Sequence, residues 1–124
     1  MQGKLLYEYA VVRIVPRVER EEFVNVGLIM MCKRAKWIKV ELCPDIARIA
    51  AIAGCNDFTS LLDQLKVFSA VCSGEGAFSA MPPEERFRWL TAVKSTCVQT
   101  SRPHPGLTAD LEATFERLLE ELVK

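Results

Sequence analysis

Five basic residues near the two ends of the chain could together bind an anion: Arg13, Arg17, Arg20, Arg102 and His104. The last two belong to the segment TSRPHPG at 100–106, whose serine and threonine hydroxyls could add hydrogen-bond donors. Arginine suits this chemistry because its planar guanidinium holds phosphate or carboxylate through two parallel hydrogen bonds. The five residues can act together only if the fold brings the two segments side by side.

The same residues also have plainer interpretations. Arg13 could form an ion pair with Glu8, Glu21 or Glu22, all close to it in the sequence. His104 could serve as a general base near neutral pH. A single histidine between two prolines is, however, more typical of a loop residue whose ring packs on its neighbours or bonds a carbonyl.

Asn25 and Gly27 interrupt an otherwise apolar stretch and need an explanation of their own. Asn25 is a further candidate for contact with an anion or a partner. A glycine inside a strand usually marks a β-bulge or a close backbone approach. We therefore expect Gly27 to permit a bulge that turns Asn25 inward to satisfy buried backbone groups.

The sequence carries no strong catalytic signature. GxxxxGK[ST], HExxH, GxSxG and GxGxxG are all absent, and no local set of carboxylates resembles a metal cage. The five cysteines are scattered and form no CxxC pair, and there is only one histidine. We therefore expect the thiols to be reduced and mostly buried. The sequence thus predicts no metal and no cofactor, and it favours a protein that is not an enzyme.

Three strands are expected to position the candidate residues. The runs Leu5–Val15, Phe23–Cys32 and Trp37–Leu42 are rich in apolar and β-branched residues, and a basic turn separates the last two. The first run is apolar on both faces, which is typical of a central strand covered on both sides. Pro16 should end that strand, since proline cannot donate to a ladder. We expect an antiparallel meander.

Helical patterns follow, with a short strand among them. Asp45, Asp57 and Thr108 are the expected N-caps of the first, second and last helices, and Pro82-Pro83 should begin the third. The last helix, from about Ala109, carries an apolar stripe that should pack across the sheet. Segment 96–100 could form a short fourth strand, followed by a rigid, non-helical loop over 101–106. The candidate residues of the two segments would converge if that strand joined the sheet beside the first.

Length and composition favour one α+β domain over residues 1–124, with a sheet of three or four strands and about four helices. No secretory signal or membrane span is evident, so we expect a cytoplasmic protein. Formal net charge is zero, but residues 1–39 hold eight basic against four acidic residues. This asymmetry suits a solvated surface, self-association or an anionic partner.

The stretch YEYAVVRIVPRVEREEFVNVGLIM near the front and the TSRPHPGL segment with the leucines from Leu111 to Leu122 carry a resemblance to a known family. The sequence resembles a bacterial family of small proteins called domain of unknown function 3037. The resemblance implies no catalytic residues. It does imply a partner-binding role, because members of the family are often encoded beside kinase-like proteins of the toxin–antitoxin type.

These observations favour a non-enzymatic protein-binding or regulatory module. Strands that are apolar on both faces would leave one face bare if helices covered only the other, and a second copy or a partner could cover it. The alternative is a nucleic-acid or phosphate-binding protein that uses the basic hairpin and the TSRPHPG loop. An enzyme acting on a phosphodiester, with His104 as base, is a third hypothesis.

Overall fold

The computed structural model describes residues 3–15, 22–53, 59–92 and 97–124. These form an α+β fold, as predicted, with five strands and four α-helices. The strands are β1 (Leu5–Ile14), β2 (Val24–Cys32), β3 (Trp37–Leu42), β4 (Val98–Thr100) and β5 (His104–Thr108). The helices are α1 (Ile46–Ala53), α2 (Thr59–Cys72), α3 (Pro83–Thr91) and α4 (Leu111–Leu122), with a short 3₁₀ helix over Gly76–Ala80.

The sheet is built around β1. Its order is β3-β2-β1-β4, and β5 also pairs with β1, so that β4 and β5 share one side of it. The β1–β2–β3 part is the antiparallel meander that the sequence predicts. β4 pairs with β1 antiparallel, so the condition for bringing the two candidate segments together, a fourth strand beside the first, is met. The central position explains why β1 is apolar on both faces.

Helices cover both faces of the sheet. On one face Val12, Ile29 and Met31 pack with residues of α1, α2 and α3, among them Phe87. On the other face Leu28 and Met30 pack with the apolar stripe of α4, which confirms that the C-terminal helix lies across the sheet. The condition under which one sheet face would be bare, helices on the other face only, is therefore not met, because α4 covers that face.

Two details of the last part of the chain differ from the sequence prediction. The predicted loop over 101–106 is wrong for His104–Gly106, which belong to β5. Asp110 caps α4 instead of Thr108, because the Asp110 carboxylate accepts a hydrogen bond from the Ala113 backbone N–H. The Thr108 hydroxyl lies 2.6 Å from the Thr114 hydroxyl and accepts from the Asp110 N–H at 3.0 Å.

The other expected helix starts hold where the structure describes them. Asp45 accepts a hydrogen bond from the Arg48 N–H at 3.2 Å, and Pro83 occupies the first turn of α3. The predicted cap Asp57 lies outside the described residues. Within the described ranges, no helix combines the length and the hydropathy needed to cross a membrane.

Candidate functional site

A cleft at the β4 edge of the sheet brings Arg13 and Arg102 together. In the β1–β4 ladder Arg13 lies opposite Gln99, so the end of β1 meets the start of the TSRPHPG segment. The cleft has a volume of about 270 Å³, and none of its described lining residues is a carboxylate. It is lined by Arg13, Thr91, Ala92, Gln99, Thr100, Ser101, Arg102 and Pro103.

Four other candidates are placed differently. His104 and Asn25 do not line the cleft. Arg17 and Arg20 lie outside the described residues. The structure therefore brings two of the six predicted site residues into one concave site.

Ser101 shapes the wall of this cleft between β4 and β5. The Val11 backbone N–H donates to the Ser101 hydroxyl oxygen at 2.9 Å, and the Ser101 N–H donates to the Val11 carbonyl at 2.9 Å. The hydroxyl thus replaces a backbone carbonyl where the ladder passes from one short strand to the next. It also donates to the Arg102 carbonyl at 3.1 Å. Its role is to position the segment.

Arg13 carries the most unusual environment in the cleft. Its guanidinium carbon lies 4.4 Å from the centre of the Phe23 ring, a cation–π distance. Its Nε is buried and has no hydrogen-bond partner among the residues described. Glu8, one carboxylate that could have neutralised it, is bound instead by Arg88 through hydrogen bonds of 2.8 and 2.6 Å.

Asn25 and Gly27 have the structural roles that the sequence predicts. The β1–β2 register shifts between Val12 and Arg13, so β2 contains one extra residue at a bulge. The Asn25 side-chain amide donates to the Leu122 carbonyl at 3.1 Å, which satisfies the C-terminal end of α4. A Cβ on Gly27 would lie 2.6 Å from the carbonyl oxygen of Glu41 in β3. The two residues let β3 and α4 approach the bulge.

His104 lies opposite Tyr9 in the β1–β5 ladder. Its ring centre is 5.3 Å from that of Tyr9, with a tilt of 35° between the rings. The imidazole is exposed and outside the cleft. This placement agrees with the plainer interpretation, a ring that packs on a neighbour, and separates His104 from the two arginines.

A second surface was missed by the sequence interpretation. Leu6 and Leu107 lie opposite each other in β1 and β5, yet they are 61% and 63% exposed. Together with Lys4, Lys33 and Arg34 they line a shallow depression of about 570 Å³. We call these five residues the basic–leucine surface. The basic residues of this surface are visible in the sequence. The pairing of the two leucines could not be predicted, because the first part of β5 was expected to be a loop.

The family follows from comparison with known proteins. Residues 9–123 match the family model described as protein of unknown function (DUF3037). The chain belongs to this family. The match confirms the resemblance carried by the two ends of the sequence, and it spans both the cleft and most of the sheet. No curated protein and no solved structure matches the chain.

The four described thiols of this DUF3037 family member line neither the cleft nor the basic–leucine surface, and Cys55 lies outside the described residues. Cys32, Cys43, Cys72 and Cys97 are free, and Cys32 and Cys72 are buried. Burial raises the pKa of the Cys72 thiol to about 11, only partly offset by the charge of Arg86. A thiol with so high a pKa is a poor nucleophile at neutral pH. Across the part of the chain that is described, no group of three or more His, Cys, Asp or Glu side chains could hold a metal ion.

Proposed function

We propose that this protein is a non-enzymatic protein-binding or regulatory module, and that it binds its partner through the basic–leucine surface. One observation carries the proposal: Leu6 and Leu107 form an exposed apolar pair on a sheet whose other large apolar side chains are buried or half-buried. Folding does not account for this exposure. Contiguous exposed apolar groups with a polar border are typical of interaction sites.

The charge of the surface indicates the chemistry of the partner. Lys4, Lys33 and Arg34 surround the leucine pair, and Glu84 lies 3.3 Å from the Lys33 ammonium. The surface therefore keeps a net positive charge. We infer that its occupant is a segment of a protein partner that carries apolar side chains flanked by carboxylates, since complementary charge speeds association and excludes wrong partners.

The leucine pair can supply useful binding energy. The side chains are 61% and 63% exposed, so covering both would contribute roughly 2–4 kcal/mol at the usual value for burying a leucine. The surface holds no carboxylate, histidine or cysteine side chain. Its composition thus suits binding, and the kinase-like neighbour implied by the family resemblance is the first partner to test.

The test uses a double variant, Leu6→Ser with Leu107→Ser, and Val67→Ser as matched control. Val67 is 59% exposed on α2 and does not line the surface. We expect calorimetry to detect binding of the purified neighbour and of a peptide of alternating glutamate and leucine. The double variant should bind at least about tenfold more weakly, whereas the control should bind as the wild type does.

Three results would overturn the proposal. They are no binding of either probe, equal binding by the double variant, or equal affinity for a peptide with lysine in place of glutamate. Light scattering on the protein alone tests whether a second copy of the chain occupies the surface. A dimer that the double variant dissolves would show that the surface binds a second copy instead. The alternative function, nucleic-acid or phosphate binding, would use a different surface, the cleft beside β4.

A further inference from the structure

We propose that the cleft between the end of β1 and β4 binds the phosphate group of a small molecule, clamped between Arg13 and Arg102. The inference goes beyond the protein-binding function and uses other residues, so either can fail without the other. It begins from two arginines that line one concave site without a carboxylate among its described lining residues. A bound anion would supply the negative charge that the two guanidinium groups can hold through hydrogen bonds.

The state of Arg13 is the strongest argument. Its Nε–H is buried and meets no acceptor among the described residues. A buried donor without an acceptor is unfavourable, and native proteins rarely keep one without a function. The Nε is closed to solvent in this conformation, so a phosphate oxygen would accept this hydrogen bond after the guanidinium turns towards the cleft. The centre of the Phe23 ring lies 4.4 Å from the guanidinium carbon of Arg13. This cation–π contact restricts the orientation of the guanidinium group before a ligand binds.

The other donors of the cleft narrow the contacts available to a ligand. The Thr91 hydroxyl donates to the Phe87 carbonyl at 2.8 Å, and the Ser101 hydroxyl donates to that of Arg102 at 3.1 Å. Both hydroxyl protons are therefore used within the protein. The guanidinium of Arg102, which is exposed, and the hydroxyl of Thr100 also line the cleft and are further donors for an anion.

The size of the cleft indicates the class of ligand. A volume of about 270 Å³ lies just below the range of pockets that enclose drug-sized molecules. It accommodates a phosphate with a small organic group. Nucleic-acid binding calls instead for an extended basic surface that contacts several phosphates. We therefore infer a phosphorylated small molecule, and binding of nucleic acid becomes an outcome of the test.

The experiment observes the arginine directly. In ¹H–¹⁵N spectra of the full chain, the Nε–H signal of Arg13 is followed as inorganic phosphate is added, with sodium chloride at equal ionic strength and sodium acetate as references. We expect phosphate alone to shift this signal in a saturable way. Affinity should fall at least tenfold in Arg13→Met and in Arg102→Met. Arg13→Lys should bind weakly, since it keeps the charge but loses the fork.

The control variant is Arg117→Met, which removes an exposed arginine of α4 that does not line the cleft and should leave the affinity unchanged. No saturable shift in the wild type would overturn the inference even if Arg13→Met failed to fold. An equal response to acetate would also overturn it. So would tighter binding of a single-stranded oligonucleotide that Arg117→Met weakens as much as Arg102→Met does, since that would indicate general electrostatic attraction.

Discussion

Replacing Gly27 with alanine tests whether the bulge in β2 is shaped by the close approach of β3. Gly27 lies opposite Leu42 in the β2–β3 ladder. A Cβ at this position would lie 2.6 Å from the Glu41 carbonyl oxygen and 2.7 Å from Leu42 Cδ2. The first obstacle is backbone, so β3 must move by several tenths of an ångström to admit the methyl group.

The expected cost combines two opposing effects. Overpacking of this kind destabilises a fold by about 1–3 kcal/mol. Restricting the unfolded chain by a glycine-to-alanine change returns about 0.4–1 kcal/mol. We therefore expect Gly27→Ala to lower the free energy of unfolding by about 1–2 kcal/mol, which for a chain of this size lowers the melting temperature by about 4–8 °C. The cost stays moderate because β3 is an edge strand and can shift.

Urea denaturation followed by tryptophan fluorescence measures the change, since Trp37 lies in β3. The same substitution made in Leu42→Ala separates the two obstacles. If the Glu41 carbonyl dominates, most of the cost persists in that background. A neutral Gly27→Ala, or a cost that disappears when the Leu42 side chain is removed, would refute the reasoning.

Three further predictions concern other contacts. Asn25→Ala should cost about 0.5–1.5 kcal/mol in urea denaturation, because the Leu122 carbonyl loses its donor; Asn25→Asp should cost more, since two oxygens would then face each other. The folded-state pKa of Cys72 is about 11, against an ordinary value of 9.0. The protonated thiol therefore contributes fully to stability below pH 9, and this contribution is lost as the pH rises to about 11. The free energy of unfolding should fall by roughly 2–3 kcal/mol over that range. Cys72→Ala should flatten that part of the stability profile, and an unchanged profile would contradict the assignment. The hydrogen bond from Lys39, 2.6 Å long, lowers the pKa of Glu112. The stabilisation from this carboxylate is therefore present above the ordinary glutamate pKa and lost as the pH falls through the lowered value, so Lys39→Met should make the loss of stability on acidification slightly less steep in urea denaturation.

The sequence was informative where a pattern is local and repeated. The apolar faces of β1 predicted a central, doubly covered strand, and the run at Trp37–Leu42 predicted β3 with its exact bounds. β5 was missed because His104, Pro105 and Gly106 are typical turn residues. Tertiary contact overrode that preference: β1 supplies a complete partner for β5, and the missing side chain of Gly106 leaves room for the Tyr7 ring.

The candidate site was predictable in part for the same reason. Residue types singled out Arg13 and Arg102, but the β1–β4 pairing that brings them together was only a condition of the hypothesis. The position of His104 depended on β5, which was not foreseen, and so it was wrongly grouped with the cleft segment. The exposed Leu6–Leu107 pair depends on where the helices stop covering the sheet. That boundary is set by packing between distant elements, which a single sequence does not encode in any short pattern.

The pairing of β1 with both ends of the chain also affects how the protein is made. β2 follows β1 closely and can pair with it early, but the Val11–Ser101 contact joins residues 90 positions apart. The second edge of β1 therefore stays open during synthesis until residues 98–108 have left the ribosome. Contacts of such long range slow folding and expose an apolar strand in the meantime. The nascent chain therefore exposes this edge of β1 until β4 and β5 can pair with it.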